Sequence, residues 1–182
     1  MKQANSATTT NPSLARKQSG STGRKLSTTG FDQTIAPSQT VEQELEALLP
    51  QSVKSAMQSQ TNKDFDLTGF KMTQQISLRD YETALALLSK ALEPSDKAMV
   101  LKELTKLKLK TTTKNMDAAE LKMQLGVYTD ELAKYPPDIV TTVLAKWAEQ
   151  SKWWPTWHEL HRDLEWRTNK RKWKLDALSK GI

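Results

Sequence analysis

The fold is decided by residues 135–160, which read YPPDIVTTVLAKWAEQSKWWPTWHEL. The stretch opens with two prolines, and proline is pre-organised for the first position of a helix. Apolar side chains then recur at helical spacing from Ile139 to Trp147. After a short turn, Thr156 and Glu159 have the spacing of a capping box, which opens another helix. These signals predict two consecutive α-helices joined by an aromatic turn.

Three further helices are predicted upstream, each opened by a residue type that caps helix N-termini. The capping residues are Ser77, Asp96 and Asp117. Together with the two C-terminal helices, they predict an all-α fold, a small bundle of about five helices over residues 77–182 that ends in a basic helix. The apolar stripes that would form its core are Tyr81, Leu85, Leu88 and Leu92; Met99, Val100, Leu104 and Leu107; and Leu121, Leu125, Tyr128 and Leu132.

The N-terminal part of the chain has a different character. Residues 1–40 are rich in Ser, Thr, Gln and Asn and carry too little apolar surface to offset the entropy of ordering them, so we predict a disordered basic tail. Residues 41–76 predict a short helix, stopped or kinked at Pro50, and then a linker. Within that linker, the apolar residues around Gly69 leave a minor hairpin open as an alternative.

The composition limits the chemistry that the chain can perform. It has no cysteine, and its six glycines are too scattered for a P-loop or a dinucleotide-binding loop. No serine lies in a Gly-x-Ser-x-Gly elbow. His158 and His161 are three residues apart, whereas the metalloprotease motif needs a spacing of four, so ordinary surface or core histidines are expected. We therefore predict no catalytic site, cofactor or metal.

Basic and aromatic residues point to a polyanionic partner. The net charge is +6, and cations concentrate in residues 1–40, 101–115 and 166–182. Solvated helix faces explain the same charges equally well. The tryptophans concentrate from Trp147 to Trp173, and rings beside cations can stack single-stranded bases for about 1–3 kcal/mol each. The core is the expected place of Trp147, Trp154 and Trp157. The candidate nucleic-acid-binding residues are Trp153, Trp166, Arg167, Lys170, Arg171, Lys172, Trp173 and Lys174.

Two aromatic–proline signals at fixed spacing carry a family resemblance. The residues are Tyr128, Leu132, Tyr135-Pro136, Val140, Leu144, Trp147, Trp154-Pro155-Thr156 and Glu159-Leu160. With them, residues 121–165 resemble the small helical domain of phage replicative-helicase loaders and inhibitors. In that family the domain lies N-terminal to a flexible helicase-binding tail, whereas here it is C-terminal. The resemblance therefore assigns no helicase-binding residue.

The resemblance implies a phage-type DNA-replication accessory protein. Such a protein would be a non-catalytic adaptor that binds or loads a replicative helicase and contacts DNA, most plausibly single-stranded. Two alternatives stay open: a nucleic-acid-binding regulator or packaging factor without a helicase, and a structural or assembly adaptor. A homo-oligomer is also open. No apolar run approaches the roughly 18–20 residues that span a bilayer, and no secretion signal is evident, so we expect a cytoplasmic protein without membrane contact, in the host cytoplasm if it is phage-encoded.

Overall fold

The structure, a computed structural model, describes residues 38–113 and 116–181. The helices of this part are α1 (Ser38–Leu48), α2 (Gln51–Ala56), α3 (Leu78–Lys90), α4 (Lys97–Lys110), α5 (Ala118–Leu132), α6 (Pro137–Gln150) and α7 (Trp157–Lys180). Strands β1 (Met57–Thr61) and β2 (Leu67–Met72) form one antiparallel hairpin. The predominantly helical prediction is confirmed, including five helices beyond residue 77.

Local capping chemistry explains where α3, α4 and α5 begin. The Ser77 hydroxyl accepts a hydrogen bond from the backbone N–H of Asp80 at 3.1 Å, and Asp96 accepts one from Met99 at 3.1 Å. Asp117 forms a capping box. Each cap satisfies backbone N–H groups that have no partner inside the helix. The predicted starts of α3, α4 and α5 are thus confirmed.

The N-terminal segments depart from the prediction. The predicted disorder of residues 1–40 lies largely outside the described residues, and α1 already begins at Ser38. Where a linker was predicted, β1 and β2 form a hairpin that packs on α7. Its turn comprises residues 62–66, and Gly69 pairs with Gln60 inside the ladder. The hairpin that the sequence left open as an alternative is therefore observed in place of the linker, and its ladder is supported by a distant helix.

Two apolar clusters form the core, and α7 contributes to both. The first joins α4, α5, α6 and the N-terminal half of α7, where Leu160 and Leu164 are fully buried. The second joins α1, α2, α3 and the C-terminal half of α7 at Leu178. A helix of 24 residues is about 36 Å long, enough to reach both clusters. No helix among the described residues has both the length and the apolar character needed to cross a membrane.

Candidate nucleic-acid interface

The basic helix α7 begins at the predicted capping box. The Thr156 hydroxyl accepts from the backbone N–H of Glu159 at 3.4 Å, and a Glu159 carboxylate oxygen accepts from the backbone N–H of Thr156 at 2.8 Å. The hydrogen bond from the Thr156 backbone, followed by that from its hydroxyl, lowers the pKa of Glu159. The box fixes where α7 begins, and the fully buried Leu160 and Leu164 show which face of the helix packs on the core.

Arg171 lies on the inner face of α7 and is fully buried. Its guanidinium donates to Asp138 of α6 at 2.5 and 3.0 Å and to Glu42 of α1 at 2.9 Å. A further hydrogen bond of 2.7 Å reaches the carbonyl oxygen of Ala91 after α3. Burial by itself would lower the pKa of this guanidinium, but Asp138 and Glu42 outweigh it and raise the pKa. Arg171 therefore ties α1, α3 and α6 to α7.

Two neighbouring cations share that inner face. Arg167 is 6% exposed and binds Asp163 through its Nε at 2.9 Å. Lys174 is 2% exposed, with its ammonium 3.5 Å from Glu46 and 5.5 Å from the centre of the Phe70 ring. These three predicted residues already have protein partners and are shielded from solvent, so the nucleic-acid contact argued below does not include Arg167, Arg171 or Lys174.

The outer face of α7 retains the other predicted residues. Trp166 is 49% exposed, and the Lys170 ammonium lies 5.6 Å from the centre of its ring. Trp173 and Lys170 are half-buried, and Lys172 is exposed. Arg162, which is not among the candidate residues predicted from the sequence, is exposed one turn before Trp166. At 100° per residue, Arg162, Trp166, Lys170 and Trp173 fall within one narrow sector of the helix. We call these four residues the outer stripe.

A groove between α6 and α7 adjoins the outer stripe. It has a volume of about 300 Å³, and Lys146 and Trp147 of α6 line it together with Arg162 and Trp166. Two carboxylates also line it. Asp163 is paired with Lys146 at 3.5 Å and with Arg167, whereas Glu159 accepts hydrogen bonds from Thr156 in the capping box. Flat rings and cations therefore border a concave surface in which one of the two carboxylates is paired with cations. Such a surface is suited to stacking a base and holding its phosphate.

Trp153, the remaining predicted residue, lies apart from the outer stripe on the turn before α7. Its ring is 49% exposed, with the Lys152 ammonium 5.3 Å from its centre. The turn is held by backbone hydrogen bonds from Thr112 to Lys152 at 2.7 Å and from Trp154 to Thr112 at 3.1 Å. Trp147, Trp154 and Trp157 pack partly buried against the first core cluster, as predicted for core tryptophans. Trp153 thus marks a second aromatic surface beside α5.

The two histidines occupy structural environments. The His161 ring stacks on Trp157 with 5.5 Å between ring centres, and its Nδ1 lies 3.0 Å from the Tyr135 hydroxyl. That hydroxyl donates to Glu165 at 2.7 Å, and burial, followed by this bond, raises the pKa of Tyr135. His158 is exposed at the start of α7. Within the described residues, no group of three or more His, Asp or Glu side chains is arranged to hold a metal ion.

Comparison with known proteins assigns no family. No protein-family model, curated protein or solved structure matches the chain. The resemblance of residues 121–165 to helicase loaders therefore stays a prediction.

Proposed function

We propose that the chain is a non-catalytic adaptor that binds single-stranded DNA along the outer stripe and connects it to a replicative helicase. The observation that carries the DNA contact is the alternation of cation and ring at positions 162, 166, 170 and 173 beside the α6/α7 groove. The stripe spans 12 residues of helix, and its first and last Cα positions are about 16 Å apart along the axis. Two or three extended nucleotides would cover that length.

Single-stranded rather than duplex DNA is the partner that this geometry favours. Trp166 and Trp147 offer ring faces, and a base can stack on them only when it is not already stacked within a duplex. Sequence-specific reading of the major groove would instead need a helix carrying Asn, Gln and Arg side chains toward base edges, and the outer stripe carries no Asn or Gln.

A DNA titration tests this part of the proposal. The triple variant Arg162→Gln, Trp166→Leu and Lys170→Gln should bind a fluorescein-labelled oligothymidylate of about 16 nucleotides at least about tenfold more weakly at low salt, because it loses two phosphate contacts and one stacking surface. Anisotropy measures the affinity. The double variant Lys102→Gln and Lys122→Gln removes two exposed cations from α4 and α5 and should bind like the parent. Equal losses in the two variants would reduce the site to non-specific charge.

The helicase part of the proposal rests on the resemblance of residues 121–165. Purified hexameric replicative helicase from the matching host should be retained by the immobilised chain after nuclease treatment. Retention that disappears with nuclease would mean that DNA alone bridges the two proteins. That outcome would favour the alternative, a nucleic-acid-binding regulator or packaging factor without a helicase partner.

A further inference from the structure

The tip of the β-hairpin exposes a phenylalanine in a strained conformation. Phe65 is 88% exposed and has a backbone φ of 63°, in the left-handed region. A bulky side chain pays about 1 kcal/mol or more for that region. Burial does not offset this cost, because the ring projects into solvent. Conformational strain at an exposed apolar side chain is typical of a residue held for contact with a partner.

The turn around Phe65 is built to hold it. The Asn62 side-chain oxygen accepts from the backbone N–H groups of Asp64 at 2.9 Å and Asp66 at 2.8 Å. The Asn62 amide also donates to the Asp66 carboxylate at 3.1 Å, and the backbone N–H of Phe65 donates to the Asn62 carbonyl at 3.2 Å. These four hydrogen bonds converge on one side chain and its carbonyl. The ring is therefore presented on a pre-organised turn, which lowers the entropic cost of docking it.

The base of the same hairpin carries a complementary cleft. Its volume is about 200 Å³, and apolar side chains dominate its walls. An apolar cavity of about 150 Å³ is enough to accept benzene. Leu78 at its edge is 71% exposed, and a Cβ at Gly181 would lie 2.6 Å from the Met72 side chain, so the wall is tightly closed there. The apolar and aromatic side chains that line it are Met72, Ile76, Leu78, Tyr81 and Leu178.

The charges around the tip and the cleft are opposite. Asp64 and Asp66 flank Phe65 and outnumber Lys63, so the tip is acidic. Exposed Lys71 and Arg79 adjoin the cleft residues Met72 and Leu78 in the chain. An acidic tip disfavours nucleic acid or an anionic membrane as the partner of Phe65. The cleft offers both the apolar volume and the countercharge that the tip requires.

We propose that Phe65 of one copy of this chain inserts into the cleft of a second copy, and that the contact is made twice about a two-fold axis. Strand β2 has six residues, so tip and base lie about 17–20 Å apart. Two hairpins aligned side by side in opposite directions bring each tip to the other's base. A two-fold arrangement of this kind is self-complementary and closes at the dimer. The proposal goes beyond the DNA-binding function and does not depend on it.

Sedimentation velocity of the full chain tests the dimer. A contact of two small patches buries less than the roughly 1,200 Å² of standard interfaces. We therefore expect a dimer dissociation constant between about 10 µM and about 1 mM. Phe65→Asn keeps a residue that tolerates the left-handed region and removes the ring, and should weaken the dimer at least about tenfold. Leu109→Gln removes an equally exposed apolar side chain from α4 and should leave the dimer unchanged. A parent that stays monomeric, or a Phe65→Asn variant that dimerises like the parent, overturns the proposal.

Charge reversal and cross-linking test the geometry. Arg79→Glu should weaken the dimer, and adding Asp64→Arg to the same chain should restore it, because each contact then pairs the reversed charges. Benzoylphenylalanine at position 65, mixed with isotopically labelled chain, should cross-link to residues 72–81 or 178–181 of the other copy. Absence of rescue together with cross-links to any other surface would overturn the tip-to-cleft contact.

Discussion

The inner and outer faces of α7 carry the same kinds of side chain and use them in opposite ways. On the inner face, Arg171 is fully buried and holds two carboxylates and a carbonyl. On the outer face, Lys170 lies above the half-exposed Trp166 ring. Arg171 and Lys170 are neighbours in the chain, but other elements place carboxylates and a carbonyl against the inner face, where Arg171 lies. The cations of one basic helix can therefore have different roles, and each of them has to be assigned to a partner separately.

The largest expected effect comes from the inner face. Arg171→Met should lower the free energy of unfolding by about 3 kcal/mol, because Glu42 and Asp138 lose the cation that compensates their charge. The exposure of the Asp138 side chain, 38%, places this value at the low end for buried ion pairs. Denaturant midpoints followed by circular dichroism measure the loss. Lys172→Met, one residue further on the exposed surface, is the matched control and should change stability by less than about 0.5 kcal/mol. Similar losses in both variants would contradict the division into two faces.

Most of the helical bundle could be predicted from the sequence because the signals were local. The caps at Ser77, Asp96 and Asp117 act within three residues of themselves, so their hydrogen bonds are visible in the chain. The partners of Arg171 are not local, since Glu42 lies 129 residues away. Helical periodicity places Arg171 with Leu164 and Leu178, but only the packing of α1 and α6 shows that the guanidinium has partners there. The choice between linker and β-hairpin stayed open for the same reason, because the support of the hairpin comes from α7.

An intermediate effect is expected at the capping box that opens α7. Thr156→Ala should lower the free energy of unfolding by about 0.5–2 kcal/mol, the usual cost of a lost N-cap. Glu159 has a lowered pKa in the folded state, so its contribution is present above its unfolded pKa and is lost as the pH falls through the folded value. The penalty of Thr156→Ala should therefore shrink, without vanishing, between neutral pH and about pH 3. A penalty that grows in acid would show that the Thr156–Glu159 hydrogen bond does not contribute.

The sequence predicted which helix carries the candidate site, but it did not predict which side of that helix is exposed. The candidate residues predicted from the sequence include Arg167, Arg171 and Lys174, which the fold buries, and do not include Arg162 and Lys146. A signal for Arg162 was available in the chain, since Arg162, Trp166 and Lys170 recur every four residues. No comparable local signal existed for Lys146, because it joins the groove only when α6 packs against α7.

The smallest expected effect distinguishes Lys170 from Lys174, which lie about one helical turn apart. Lys170→Met should reduce the slope of log affinity for single-stranded DNA against log salt by about 0.7, because one phosphate contact no longer releases counterions. Lys174→Met should leave that slope unchanged, since its ammonium is enclosed near Glu46 and Phe70. The free energy of unfolding of the Lys174→Met variant should change by no more than about 1 kcal/mol. An apolar side chain of similar shape replaces the lysine, and the carboxylate that loses its partner, Glu46, is half-exposed and 3.5 Å away. Fluorescence anisotropy at four or more salt concentrations gives both slopes. Equal slope changes would mean that the inner face opens when DNA binds, and unchanged slopes in both would remove Lys170 from the DNA contact.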